Sequence, residues 1–130
     1  MTNKNRESWY SLTNIKRSSS NEILADAIAS GKSPWFSGHF PGEPILPGVA
    51  LLGMVFDAIN RACGKNFITS GVKRVKFKQI IKPGDKIQII AREKNGDNSL
   101  YTFQVMVDSH ITCNGIITVE QMIDNNMMHS

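Results

Sequence analysis

The stretch GHFPGEPILPGVALLGMVFDAIN, residues 38–60, decides the fold of this chain. Its first half places His39 at the start of a loop that holds three prolines and two glycines within residues 41–48. Each proline fixes its own φ angle and pushes the preceding residue into extended geometry, so this loop has few conformations. A histidine beside a helix start suits proton transfer, since its unperturbed pKa is about 6.5. His39 is therefore a candidate general base.

The second half of the stretch predicts one long helix that begins at Gly48. Gly64 is a typical C-terminal cap, which gives a helix of about 22 Å at 1.5 Å per residue. Apolar residues on more than one side predict a helix that a sheet wraps around. A buried stripe with helical spacing is expected at Leu52, Val55, Phe56, Ile59 and Cys63.

The segment HFPGEPILPGV resembles the signature of the 3-hydroxyacyl-acyl-carrier-protein dehydratases, which have the hotdog fold. The histidine, phenylalanine, prolines, glycines and valine fall at the spacing of that family. A second block, GVKRVKFKQIIKPGDKI at residues 71–87, is similar to the next strand pair of the family. The resemblance covers roughly residues 7–121. It implies an α+β hotdog fold, with one long central helix wrapped by a curved antiparallel sheet of about five to six strands.

Strand patterns on both sides of the helix agree with this architecture. Residues 21–29 fit a capped helix slightly better by local propensity, but the resemblance favours a strand that pairs with residues 9–15. After Phe67, Val75 and Phe77 are expected on one face of a strand. A type II turn at residues 82–85 and a hairpin turn at residues 94–98 precede further strands at 86–92, 100–107 and 111–120.

The resemblance also assigns roles to the opening stretch. His39 removes the α-proton of a 3-hydroxyacyl thioester, and the backbone carbonyl of Ile45 orients its imidazole. The N–H of Gly48 donates a hydrogen bond to the thioester carbonyl. This role makes independent sense, because an N–H at a helix start has no partner within the helix and lies at the positive end of its dipole. The residues expected to contact the substrate are Phe40, Ile45, Pro47, Val49 and Gly53.

One position departs from the family pattern. The family carries a glutamate or aspartate fourteen residues after the histidine, across a dimer interface from it, and this chain has Gly53 there. Glycine costs a helix about 1 kcal/mol relative to alanine, so close packing against another backbone or a ligand is one explanation. Asp57, one turn later and about 6 Å farther along the axis, is a candidate replacement acid. Its alternative role is an ion pair with a base such as Arg61.

The net charge of +4 and a pI of about 9.2 fit either ordinary solubility or an acidic partner. Arg74, Lys76 and Lys78 are expected on one strand face, either solvated or in contact with an acyl carrier protein. The chain has no aromatic-interleaved basic motif for nucleic acid, no membrane-spanning run and no secretory leader, so a cytoplasmic location is the default. Cys63 and Cys113 suggest neither a metal site nor a disulfide framework, and no cofactor is implied.

Three functions compete. The first is a dehydratase that acts on carrier-bound 3-hydroxyacyl thioesters. The second is a half-site or non-catalytic subunit, which pairs with a paralogous dehydratase or binds acyl chains. The third is a hotdog acyl thioesterase. In each case we expect one domain over residues 1–130, loose tails at 1–6 and 122–130, and a homodimer, a larger assembly of dimers or a mixed oligomer.

Overall fold

The computed structural model describes residues 10–29, 48–64, 67–94 and 97–121. Within these ranges it contains one helix and six strands, as the sequence predicts. The two predicted tails lie outside the described residues. The elements are β1 Tyr10–Arg17, β2 Glu22–Ala29, α1 Gly48–Cys63, β3 Phe67–Phe77, β4 Lys86–Lys94, β5 Asp97–Val107 and β6 His110–Gln121.

The strands form one antiparallel sheet in the order β1-β2-β4-β5-β6-β3. The chain leaves β2 near one edge and, after α1, enters β3 at the opposite edge. The helix lies on one face of the sheet and contacts β1, β2, β3 and β4. Alternate residues of each strand point at this helix, and the others form the outer face of the sheet. The predicted helix wrapped by a sheet is confirmed.

The helix begins at Gly48 and ends where predicted. Gly64 has a φ of +64° and donates its N–H to the carbonyl of Asn60 at 3.0 Å, so it is the expected cap. The predicted stripe is wrong in part, because Leu52, Phe56 and Cys63 are only partly buried. The helix instead presents its small alanines to the sheet, which allows close approach. The buried residues of α1 are Ala50, Leu51, Met54, Val55, Ala58 and Ile59.

Local signals also predicted the turn at residues 82–85, whereas β2 was predicted by the resemblance against a slight local preference for helix. Gly84 has a φ of +83°, and Asp85 donates its N–H to the carbonyl of Lys82 at 3.2 Å, as a type II turn requires. Residues 22–29 form a strand rather than a helix, with Ile23 and every second residue after it buried. The preceding strand runs to Arg17, two residues beyond its predicted end.

The strand β3 contains an irregularity that the period-two pattern did not predict. Its pairing with β6 shifts between Lys73 and Lys76, and Arg74 has a φ of +53°. Such a bulge bends the strand and re-aims its side chains. Lys78 lies beyond the strand, which ends at Phe77, and its N–H donates to the carbonyl of Thr112 at 2.7 Å. The prediction that Lys78 continues the strand face is therefore wrong.

Candidate active site

The structure describes the helix half of the predicted site. His39, Phe40, Ile45 and Pro47 lie outside the described residues. The described members on α1 are Gly48, Val49, Gly53 and Asp57.

Gly48 is covered by an aromatic ring that belongs to β3. A Cβ atom built on Gly48 would lie 2.6 Å from Cζ and 2.8 Å from Cε1 of Phe77. Real Cβ atoms do not approach carbon so closely, so only glycine allows this contact. Phe77 is 54% exposed and Val49 is 69% exposed. The first turn of the helix therefore lies beside an apolar surface, and the Gly48 N–H has no partner within the helix.

We expect replacement of Gly48 by alanine to lower the free energy of unfolding by about 0.5–1.5 kcal/mol, the cost of a displaced side chain, because the half-exposed ring of Phe77 must move aside. The added methyl group overlaps the ring of Phe77. A second substitution, Phe77→Leu, removes most of that overlap. The two changes should therefore couple by about 0.5–3 kcal/mol in a double-mutant cycle measured by urea unfolding.

Gly53→Ala is the matched control for that cycle. Beyond the helix's own backbone, no described atom lies within 4 Å of a Cβ built on Gly53. Alanine there should raise the free energy of unfolding by about 1 kcal/mol, because glycine is a poor helix former. A Gly48→Ala variant as stable as the parent, or additive with Phe77→Leu, would contradict the close contact.

Gly53 is exposed on α1, and the space around it is open. Close packing within the described part of the chain therefore does not explain this glycine. At 1.5 Å per residue, Gly53 lies about 7.5 Å along the axis from Gly48. A carboxyl group at this position would face the open side of the helix.

Asp57 is held by two donors. Its Oδ2 accepts a hydrogen bond from the hydroxyl of Tyr10, and its Oδ1 accepts one from Nε of Arg61 at 3.0 Å. The Asp57 side chain is 26% exposed. The predicted ion pair with Arg61 is confirmed. Both carboxyl oxygens act as acceptors here, which is the arrangement of an ionised carboxylate rather than of a proton donor.

The basic residues of β3 lie on the opposite face of the sheet from α1. Arg74 and Lys76 line a groove of about 480 Å³, whereas Lys78 is not part of its lining. Lys76 pairs with Asn114, and the residues that follow across the sheet from Asn114 are Gln104 and Ile90. This groove, the outer-face groove, is lined by Arg74, Val75, Lys76, Ile90, Arg92, Thr102, Phe103, Gln104, Asn114, Gly115 and Ile116.

Cys113 and Tyr101 are buried in the core, and Cys63 packs against it. Burial raises the pKa of the Cys113 thiol to about 11. Burial and a hydrogen bond with Cys63 raise the pKa of Tyr101, whose hydroxyl lies 3.4 Å from Sγ of Cys63. Cys113 and Tyr101 therefore stay protonated near neutral pH and offer neither a nucleophile nor a base.

Sequence reasoning missed three residues of this region. Tyr10 holds Asp57, Phe77 covers Gly48, and Arg92 lines the outer-face groove. Each contacts a residue or surface formed by a distant part of the chain, so no local signal indicated it. Strand alternation predicts that the side chain of Arg92 points outward. Only the strand order shows that it lines the same groove as Arg74 and Lys76 of β3.

Comparison with protein families and curated proteins gives consistent matches. The ApeI-like family model, described as ApeI dehydratase, matches residues 15–116. A 3-hydroxyacyl-[acyl-carrier-protein] dehydratase FabZ of Haemophilus influenzae (strain 86-028NP) is 34% identical over 95 residues, which are 65% of this chain and 64% of the relative. The chain thus spans slightly less than two thirds of that relative. The FabZ of Streptococcus equi subsp. zooepidemicus (strain MGCS10565) is 29% identical over 113 residues, which are 80% of this chain and 81% of the relative.

Solved structures share the fold. The dehydratase heterocomplex ApeI:P from Xenorhabdus doucetiae superposes with a TM-score of 0.73 at 24% identity, over 84% of this chain and 96% of that chain. An acyl-CoA hydrolase mutant from Staphylococcus aureus superposes with a TM-score of 0.60 at 16% identity, over 82% and 68% of the two chains. The predicted hotdog fold is confirmed by this likeness.

Proposed function

The chain belongs to the ApeI-like dehydratase family, and we propose that it acts on 3-hydroxyacyl thioesters carried by acyl carrier protein. The reaction eliminates water to give the trans-2-enoyl thioester, in fatty-acid or related acyl-chain synthesis. The observation that carries the proposal is the start of α1 at Gly48, whose N–H has no partner within the helix and lies beside an exposed apolar surface.

In the proposed reaction His39 takes the α-proton, and the electron pair of that C–H bond forms the new C=C bond. The C–O bond to the β-hydroxyl breaks, and the oxygen leaves as water after it gains a proton. Negative charge develops on the thioester carbonyl as the α-proton departs. The N–H of Gly48, at the positive end of the helix dipole, stabilises this charge. The acyl chain lies against the exposed side chain of Val49, and Phe40, Ile45 and Pro47 are its other proposed contacts.

The proton for the leaving hydroxyl needs a separate donor. Asp57 is the candidate within this chain and would act through a water molecule in the open space beside Gly53. Its contacts oppose that role, since both of its oxygens already accept hydrogen bonds from Tyr10 and Arg61. Asp57 is better suited to fixing β1 against α1.

These contacts favour a second candidate function, a half-site subunit. Here the chain contributes His39 and Gly48, and a partner subunit with a dehydratase-like sequence contributes the carboxyl group. The absence of described side chains around a Cβ at Gly53 supports this arrangement, because the described part of the chain leaves room there for a carboxyl group from a partner. The name of the similar Xenorhabdus doucetiae protein, a dehydratase heterocomplex, also supports a mixed assembly.

The surface for a partner subunit is proposed to be the edge strand β3. It has eleven residues, and Ile68 and Val72 on it are 44% and 42% exposed. An exposed apolar edge strand tends to pair with another chain. A second copy of this chain would give the homodimer, and a paralogous subunit would give the mixed oligomer.

A turnover assay on the purified protein tests the proposal. We expect conversion of a 3-hydroxyacyl carrier thioester to the enoyl form. The absorbance of the conjugated enoyl thioester measures this conversion. The assay is repeated with the paralogous subunit present, and turnover should then rise. Absence of elimination both alone and in the mixture would refute the dehydratase. Release of free acid instead of the enoyl product would indicate the thioesterase.

A further inference from the structure

The edge strand β3 carries all of its charge as cations. Lys73, Arg74 and Lys76 lie in its second half, and no aspartate or glutamate occurs between Phe67 and Phe77. All three cationic residues are exposed. Because β3 stands at the end of the strand order, β6 is its one neighbouring strand in the described part of the chain. The open edge of the sheet is therefore cationic along the second half of β3.

These cations differ from the other arginines of the structure in having no carboxylate partner. Every other described arginine forms an ion pair within the chain, and the pairs are Arg17–Glu93, Arg61–Asp57 and Arg92–Glu22. Among the described residues, no carboxylate lies within ion-pair distance of Lys73, Arg74 or Lys76. An edge with three cations that the described chain does not neutralise attracts an acidic surface and repels a basic one.

The two lysines point to the outer face of the sheet, beside its open edge. Lys73 pairs with Ile116 and Lys76 with Asn114 on β6. Ile117 is buried on the helix side, so strand alternation directs Ile116 and Asn114 outward, and their partners on β3 point the same way. A chain that pairs with the open edge of β3 would place its own outward side chains about 5 Å from these lysines.

A second copy of this chain would bring the same cations to that interface. A two-fold axis that pairs β3 with itself along its whole length passes beside Val72, its middle residue. The two Lys73 side chains then occupy diagonal positions about 7–8 Å apart, which is within the Debye length of about 8 Å at physiological ionic strength. An axis nearer to Phe77 places cations directly opposite each other. An axis nearer to Phe67 separates them, but it shortens the pairing.

A partner strand with acidic outward side chains would replace this repulsion by attraction, because opposite charges across a strand pair stabilise it. Ile68 and Val72 precede the cations and are 44% and 42% exposed. They offer apolar contact to either kind of partner. The apolar half of β3 would then supply affinity, and the cationic half would distinguish between partners. Repulsion of the wrong partner is a common source of specificity.

We propose that the cations of β3 select a paralogous subunit with an acidic edge strand and disfavour a second copy of this chain. The inference rests on the proposed function, in which β3 binds a partner subunit. It decides between the homodimer and the mixed oligomer in favour of the second. The same partner would then supply the carboxyl group beside Gly53.

An acidic-edge variant of this chain is the probe for this inference. It carries Lys73→Glu, Lys76→Glu and Arg74→Asp, the last because aspartate adopts a φ of +53° more readily than most residues. Parent and variant should each self-associate weakly, and more tightly as salt screens the repulsion. Mixed in equal amounts, they should form a one-to-one complex with a Kd at least about tenfold lower than that of either chain with itself. Analytical ultracentrifugation measures association, and circular dichroism checks that the variant is folded.

A triple reversal outside β3 is the matched control. Lys16→Glu, Lys82→Glu and Lys86→Glu change the net charge by the same amount at exposed residues. At about 0.15 M salt, this variant should bind the parent within about twofold of the parent's own self-association, because distant charges are screened. Equal binding of the parent by both variants would mean that net charge alone controls association, which would overturn the inference. A tight parent homodimer that salt weakens or leaves unchanged would overturn it without any variant.

A composite site separates this inference from the proposed function. The acidic-edge variant also receives His39→Ala and Gly53→Glu, so that it has a carboxyl group and no base. With a carrier-free N-acetylcysteamine thioester, turnover of its mixture with the parent should exceed the sum of the two chains alone. A mixed complex without this gain would refute the half-site and keep the selectivity of β3. Turnover by the parent without any mixed complex would refute the selectivity and keep the dehydratase.

Discussion

Replacing His39 by alanine is expected to lower kcat/KM for the 3-hydroxyacyl thioester by about 10²–10⁴, the usual contribution of a positioned general base. The α-proton of a thioester is weakly acidic, and alanine offers no group that can accept it. The measurement is the rate of enoyl product formation at saturating and subsaturating substrate. Because the Gly48 N–H remains, substrate binding should change much less than kcat.

His110→Ala is the control for this prediction. His110 begins β6 after the turn at Asp108 and Ser109, and its side chain is exposed. Loss of that imidazole should leave kcat/KM within about twofold of the parent, since surface substitutions have small effects. If His39→Ala retained most of the activity while remaining folded, the base would have to be another group. The proposed mechanism would then fail.

The sequence predicted the helix start, the helix cap and the turn, because interactions between neighbouring residues determine these features. Gly48 begins α1, Gly64 caps its end, and Gly84 supplies the positive φ of its turn. Each of these acts through its own backbone angles or through a hydrogen bond within four residues. Such features are fixed before any tertiary contact forms, so a local pattern is sufficient to predict them.

The features that the sequence did not predict depend on strand order and register. Tyr10 and Asp57 are 47 residues apart, and they meet only because β1 lies beside the helix. The bulge at Arg74 changes which side chains of β3 face outward, and no composition signal marks it. The buried face of α1 was also not predictable from the sequence. Several sides of the helix are apolar, and contact with the sheet determines which of them is buried.

The resemblance implied a dehydratase site with its base and N–H donor but with Gly53 in place of the family's carboxyl group, and the helix limits how much of that site this chain supplies. In the described half, α1 offers the N–H of Gly48 and no free carboxyl group near it. Asp57 is about 13 Å along the axis from Gly48 and is engaged by Tyr10 and Arg61. Position 53 therefore decides between a complete enzyme and a half-site.

Replacing Gly53 by glutamate is expected to raise the turnover of the chain without a partner by about 10², the lower end of the range for general acid catalysis. Beyond the helix's own backbone, the built Cβ has no described atom within 4 Å, so a side chain can start there without a clash. Removing a helical glycine should also add about 1 kcal/mol to the free energy of unfolding. Repulsion from Asp57 at i+4 reduces that gain by about 0.2–0.5 kcal/mol. Turnover and urea unfolding measure the two effects separately.

Gly53→Gln is the matched control, because it gives the same helical gain without an acidic proton. It should stabilise the fold and leave turnover unchanged. Equal activation by both variants would show that helix stability, not acid catalysis, limits the parent. If the parent is fully active alone and Gly53→Glu adds nothing, the half-site is refuted, and Asp57→Asn should then abolish turnover. If Gly53→Glu activates the chain and Asp57→Asn costs little, the missing proton donor is the reason this chain needs a partner.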